Sequence, residues 1–204
     1  MNQAVVFCGP SLLSADRNAF PDVRFVPPAA QGDVLREMEH RPSAIGLIDG
    51  YFGDRLAVHQ KELLEALSKG IPVYGAASMG ALRAAELSSY GMVGIGKIFE
   101  AYHRNRLQSD ADVAVAHGPE ELDFLATSIS MVDVRETLAA MGRRKILSDA
   151  DLARINTVAA SIFFARRTWR SIAETMHPDR AQSSDLQDLL QNSHVQQKRI
   201  DALK

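Results

Sequence analysis

The chain of 204 residues holds a single cysteine, Cys8. No intramolecular disulfide can form from it, and no cysteine zinc cluster is possible. Excess charge is missing too: 23 lysines and arginines against 25 aspartates and glutamates leave a formal net charge of −2. Without a global basic footprint, a nucleic-acid partner is not expected. No apolar run reaches the length of a membrane span. The N-terminus lacks both a basic leader and the long apolar stretch of a signal peptide. A cytoplasmic protein of bacterial type is the expectation, with no membrane partner. No HExxH-like spacing provides metal ligands, and no Walker A lysine follows a glycine loop. Gly91, Gly94 and Gly96 read as chain breaks rather than as a dinucleotide fingerprint. Neither a metal nor a cofactor is therefore expected.

What is present has ordinary globular proportions, with 46% apolar and 24% charged residues. Short apolar runs stand at residues 4–8, 23–26, 44–48 and 71–74. Cys8 closes the first and reads as a buried strand residue. Pro27-Pro28 stops the second, because proline cannot continue a central ladder. Helical patterns are expected near 33–40, with Asp33 as N-cap, and near 55–69, closed by Gly70. Another starts at Ser78. Strand and helix alternate at the spacing of a parallel sheet covered on both faces. Strands buried on both faces should be near-continuously apolar, as these are.

The expected fold is α/β: a Rossmann/flavodoxin-like three-layer core over residues 1–118, with a C-terminal helical region over 119–204. Residues 110–115 are read as a short last strand, and 97–106 as a helix. After His117-Gly118-Pro119, one helix is expected from Pro119 to Met141. Ser148 and Asp151 suggest the cap of a second helix. Residues 168–176 and 182–203 also read as helical, the last part as a polar tail. Arg143-Arg144-Lys145 and Arg166-Arg167 are expected to be solvated helix ends. His40, His103, His177 and His194 are expected on the surface.

Loops at the carboxyl ends of parallel strands form the usual ligand crevice. Here they bring together Ser11, Asp49, Tyr51 and Ser78. The segment Val73-Tyr-Gly-Ala-Ala-Ser-Met-Gly-Ala-Leu-Arg-Ala-Ala-Glu-Leu87 turns a buried strand into a helix with one hydroxyl at the bend. Ser78 has three readings. It is a nucleophile with the Met79 amide serving an oxyanion, an anion or substrate ligand at a helix end, or a plain N-cap. The spacing Gly-x-x-Ser-x-Gly differs from the hydrolase elbow, because Ala76 stands two before Ser78. Arg83 and Glu86 share a helix face, either as a surface ion pair or with Arg83 aimed at a substrate carboxylate. Asp49 is a turn residue or a site carboxylate. A base for Ser78 would be His59 or His117.

Together these residues resemble the TfuA-like family. The likeness rests on Gly9-Pro-Ser11, Pro27-Pro28-Ala29, Gly32-Asp33, Ile48-Asp49-Gly50, His59 with Lys61-Glu62, and above all the segment around Ser78. It continues through Gly91-Met92, Gly94-Ile95-Gly96, Tyr102 and Asp112–His117, over roughly residues 4–140. The resemblance implies a partner of a YcaO enzyme in peptide backbone thioamidation. It implies that a ThiS-type sulfur carrier and the peptide substrate are further partners. One implied activity is hydrolysis of the thiocarboxylated carrier to deliver sulfide. Ser78, His59, Asp49 and His117 would then be catalytic, and Ser11, Tyr51, Lys61, Met79, Arg83 and Glu86 would bind substrate. The alternative is a non-catalytic adaptor that recruits the carrier and activates YcaO. A nucleotide or phosphate binder using the Ser78 helix end is a third option.

Overall fold

The computed structural model describes residues 2–53 and 55–204. Five strands form one sheet: β1 (Ala4–Phe7), β2 (Val23–Val26), β3 (Ile45–Leu47), β4 (Val73–Ala76) and β5 (Val93–Ile95). Their order is β2-β1-β3-β4-β5, and every pairing is parallel. The expected α/β class with a flavodoxin-like core is therefore observed. This order reverses direction between β1 and β3, which makes the carboxyl ends of those two strands the topological switch point.

Ten helices flank or follow the strands among the described residues: α1 (Ser14–Arg17), α2 (Asp33–Glu39), α3 (Gln60–Ser68), α4 (Met79–Leu87), α5 (Gly96–His103), α6 (Met131–Arg143), α7 (Asp149–Ser161), α8 (Trp169–Met176), α9 (Arg180–Asn192) and α10 (Gln197–Ala202). One apolar cluster joins Val5, Phe7, Ile45 and Leu47 of the sheet to Val34, Leu63 and Ala84 of the helices. A second joins Cys8, Leu12, Ile48, Ala76 and Ala77 and receives Ala202 of α10. Alternate side chains of a strand point to opposite faces, so two apolar faces need two covers.

The chain divides into two compact units. The first comprises residues 1–110, 119–125 and 198–204; the second comprises 111–118 and 126–197. The second is helical, with Met131, Leu138, Ile155, Trp169, Ile172 and Leu190 at its core. Ser130, Ser148, Thr168 and Asp179 cap α6 to α9 through their side chains. Each satisfies a donor that the first helical turn leaves unpaired.

Several local expectations need correction. The last strand is β5, not residues 110–115, where Asp110–Asp112 makes a single 3-10 turn. β5 is only three residues long and lies between Gly91 and Gly96, which hid it, and Gly96 opens α5 directly after it, at a strand-to-helix junction. The expected long helix from Pro119 is a 3-10 turn at Glu120–Leu122. Asp123 and Phe124 take left-handed φ of 53° and 51°, which no helix continues. Gly32, not Asp33, caps α2. Residues 55–58 lie outside α3, which starts at Gln60. The tail is two helices, α9 and α10, rather than one.

Of the basic or titratable residues expected on the surface, Arg167 is buried and His194 is half-buried. Arg167 is buried and donates from Nε to the Ala159 carbonyl at 2.9 Å, and from its two terminal nitrogens to Ile129 and Ile162 at 3.3 and 3.1 Å. A run of carbonyls left over by α7 and its exit turn explains why a guanidinium fork is held there. His194 packs edge-on against Trp169, ring centroids 5.3 Å apart. Its Nε2 and the Trp169 Nε1 are both buried without a hydrogen-bond partner. Burial pushes the imidazole pKa down, with Asp133 pulling the other way.

Candidate active site

Asp49 follows β3 and is 2% exposed. Its Oδ2 accepts the backbone N–H of Gly9 at 2.9 Å and of Ser11 at 3.0 Å. Its Oδ1 accepts the Ser11 hydroxyl at 2.7 Å. Gly9 and Ser11 follow β1, so one carboxylate laces the two strand ends across the switch point. This fixes the loop after β1, whose amides would otherwise be buried without partners. Cys8 lies beside it, and burial, then the Asp49 charge, raises its thiol pKa. Such a thiol is inert as a nucleophile.

Ser78 caps α4 and is 7% exposed. The backbone bends sharply before it. The Ser78 N–H donates to the Ala76 carbonyl at 2.7 Å. This closes a three-residue turn around Ala77, whose φ is 61°. Alanine at positive φ inside an i to i+2 turn is strained, and the strain sits one residue before the hydroxyl. The Ser78 side chain makes no cap hydrogen bond. The Met79 N–H, next in the chain, donates to no protein group among the described residues.

Two glycines make this bend possible. A Cβ on Gly75 would stand 2.2 Å from the Gly80 carbonyl oxygen, and one on Gly80 only 1.7 Å from that of Leu47. The Gly80 N–H donates to the Ile48 carbonyl at 3.2 Å, which ties the start of α4 to the loop that carries Asp49. The Ser78 and Asp49 loops are thus neighbours on the rim of the first unit.

The other expected site residues are distributed as follows. Tyr51 is half-buried with the Arg55 guanidinium 4.3 Å above its ring centroid. His59 is exposed and caps α3, its Nδ1 accepting the Lys61 N–H at 3.1 Å. Glu62 completes that cap by accepting the His59 N–H, and also holds the Gly32 N–H at 2.9 Å. Lys61 is exposed on the same turn. Arg83 pairs with Glu86 at 2.7 Å, and its Nε donates to the Val58 carbonyl at 3.1 Å. Its side chain is largely buried, so the pair braces α4 against the segment before α3. His117 belongs to the second unit, where its Nδ1 lies 2.7 Å from the Gly118 carbonyl.

One residue at this rim escaped sequence reasoning. Lys198 of α10 is 5% exposed, with its Nζ 3.8 Å from Asp49 Oδ1. It lies in the polar tail, where nothing but a buried lysine's cost could have marked it.

Fold and site together define a flavodoxin-like α/β protein with a strained serine turn and a laced aspartate at its strand-end rim. A family model described as TfuA-like protein matches residues 49–168, more than half of the chain. The chain belongs to the TfuA-like family. The matched span begins at Asp49 and runs past the expected limit at 140, so part of the helical second unit carries family signal. It contains Ser78 and His117, while Ser11 and Lys198 lie outside it. Membership supports a role in the thioamidation pathway, and the family is associated with YcaO partner enzymes. None of the curated proteins compared with the chain matches it. Among the described residues, no helix is long and apolar enough to cross a membrane.

Proposed function

We propose that this protein hydrolyses the thiocarboxylated end of a ThiS-type sulfur carrier and releases sulfide for a YcaO enzyme acting on its peptide. The observation that carries this reading is the Ser78 bend. A hydroxyl without a cap bond stands beside a helix N-terminal amide that no protein group engages. Such a pair provides an attacking oxygen and a donor for the oxyanion it creates.

Ser78 Oγ attacks the thiocarboxylate carbon, and the Met79 N–H receives the developing oxyanion. The carbon–sulfur bond breaks, the serine proton ends on sulfur, and HS⁻ leaves. Water then hydrolyses the serine ester to the carrier carboxylate. His59 accepts a hydrogen bond at Nδ1, which in the neutral ring leaves the proton on Nε2. Its Nε2–H can therefore offer a hydrogen bond to the departing sulfur. Asp49 and Ser11 hold the neighbouring loop rigid. Lys61 and Arg83 contribute positive charge for the carrier's anionic tail, and Tyr51 a contact surface.

Purified protein incubated alone with thiocarboxylated carrier tests the reading by sulfide release. Release by the wild type, and its loss in a folded Ser78→Ala variant, supports it; full release by that variant refutes it. Carrier binding without turnover by the wild type favours the adaptor instead.

A further inference from the structure

The sheet has one covered face and one that is half bare. Strand register sets Phe25, Val6, Gly46, Tyr74 and Val93 opposite one another in a single row across all five strands, from β2 to β5. Residues paired in this way point to the same face. Val5, Ile45 and Val73, which point to the other face, are buried. In the row, Tyr74 and Val93 are 40 and 49% exposed, and Phe25, Val6 and Gly46 are half-buried. Phe20 extends the row at its β2 end, its exposed ring packed edge-on against Phe25 at 6.5 Å. None of these side chains carries a charge. An all-parallel sheet is normally covered on both faces, so a bare apolar row across it is a missing contact.

Helix α10 covers the other half of this face. It lies across the carboxyl ends of the strands. Arg199 binds the Asp16 carboxylate beyond β1 at 2.8 and 2.5 Å, and Asp201 accepts the Ile98 N–H beyond β5 at 2.8 Å. Lys198 stands 3.8 Å from Asp49 beyond β3. Ala202 joins the apolar cluster of Cys8, Ile48 and Ala76, the next residues along the same face. Lys198 and Asp201, three apart, thus lie on the buried inner side of the helix. Ile200 and Leu203, also three apart, lie on the outer side, and both are exposed. An apolar stripe facing away from the core is a second missing contact.

We propose that these two missing contacts satisfy each other in a two-fold dimer. The Ile200 and Leu203 side of α10 in one copy packs on the bare row of a second copy, and the reverse. The row needs a helical cover and the outer stripe needs an apolar floor, and a second copy of this chain supplies both. A two-fold axis between the facing sheets, perpendicular to the strands, turns the carboxyl half of one face over the amino half of the other. The two α10 helices then lie side by side in one layer about 10 Å thick. The exposed parts of Phe20, Tyr74, Val93, Ile200 and Leu203 amount to roughly 400 Å² of apolar surface per copy. Each partner in a standard interface buries about 800 Å², a little over half of it apolar. The contact does not depend on the chemistry at Ser78.

Sedimentation equilibrium of the full chain tests it. The wild type should be mainly dimer at about 100 μM and dissociate on dilution. Val93→Lys on the row and Leu203→Lys on the helix side should each raise the dissociation constant about a hundredfold or more, with the far-ultraviolet circular dichroism unchanged. Tyr74→Lys and Ile200→Lys take their places if either fails to fold. Phe163→Lys, at an exposed aromatic residue of the second unit, should leave the dimer intact. A monomeric wild type overturns the proposal, as does a dimer that survives both substitutions or one that Phe163→Lys also breaks. Loss through Val93→Lys but not through Leu203→Lys or Ile200→Lys overturns the exchange of helices. A monomer that binds a YcaO enzyme or a sulfur carrier through Val93 gives the face to that partner and overturns the dimer too.

Discussion

Replacing Asp49 by asparagine tests whether the buried pair at the switch point is coupled. Asparagine can keep its oxygen at the Oδ2 position and go on accepting the Gly9 and Ser11 amides. Its NH₂ then faces the Ser11 hydroxyl, which can turn to accept. The hydrogen-bond count survives, although each bond loses the strength that a charged acceptor gives. What does not survive is the countercharge for Lys198. At the observed 3.8 Å, Coulomb's law with an effective dielectric constant of about 20 gives roughly 4 kcal/mol for the pair. Stranding one member of a buried pair costs about 3–5 kcal/mol. Asp49→Asn should therefore destabilise the first unit by about 4 kcal/mol. Lys198→Met should cost only about 1 kcal/mol, since Asp49 keeps its three donors and the methionine packs. The double variant should fall close to Lys198→Met alone, a coupling of about 4 kcal/mol. The only tryptophan, Trp169, reports on the second unit, so native-state hydrogen exchange of the β1, β3 and β4 amides is the appropriate readout. Additivity of the two substitutions to within about 0.5 kcal/mol would refute the coupling.

Gly80→Ala forces a methyl to 1.7 Å from the Leu47 carbonyl oxygen. The backbone must move, so a loss of about 3 kcal/mol or more is expected by hydrogen exchange, together with loss of sulfide release. Arg167→Met removes the donors to Ile129 and Ile162 and one of the two to Ala159, and should lower the stability of the second unit by roughly 3 kcal/mol, read from the Trp169 fluorescence midpoint in urea. Arg167→Lys should not restore it, because an ammonium cannot span the fork. His194 has a folded-state pKa below its ordinary 6.5. Between that lowered value and 6.5 the unfolded chain binds the extra proton, so stability is full above 6.5 and falls as pH drops below it. The same fluorescence midpoint should decline from pH 7 to 5, and His194→Phe should flatten that decline; an unchanged slope in the variant would sink the assignment.

Much of the first unit could be read from sequence because parallel strands covered on both faces must be short apolar runs. Val5–Phe7, Ile45–Leu47 and Val73–Ala76 obey that rule directly. Val93-Gly-Ile95 does not, because it is three residues long and lies between Gly91 and Gly96, whereas Ile45-Gly-Leu47 sits inside the longer apolar run 44–48. Ser11, Asp49 and Ser78 were legible as a group because strand ends share a rim whatever the details of packing. Lys198 and His194 were not, since both sit in polar stretches and owe their burial to contacts distant in sequence. Pattern reasoning assigns polar stretches to solvent. Only a tertiary contact such as Lys198 to Asp49, or His194 against Trp169, overrides it.

The serine turn shows why a spacing can depart from a known pattern and still meet the same physical demands. A strand that turns at once into a helix brings its last residues against the first helical turn. One position on each side must then lack a side chain. In the hydrolase elbow those positions lie two before and two after the nucleophile. Here the close approaches fall at Gly75 and Gly80, three before and two after Ser78. The extra residue is absorbed by the turn at Ala77, with its φ of 61°. Ala76 is therefore no defect in the pattern, because its side chain points into the apolar cluster with Cys8 and Ile48. The strained residue is also displaced by one, from the serine to the alanine before it. Ser78 itself keeps a negative φ of −116° and is set as the N-cap of α4. Strain at a bend persists only where surrounding contacts over-determine it. At this bend, the Gly80 to Ile48 hydrogen bond and the two steric closures supply them. The same contacts that store the strain aim the hydroxyl, and they run through the loop that Asp49 laces to β1.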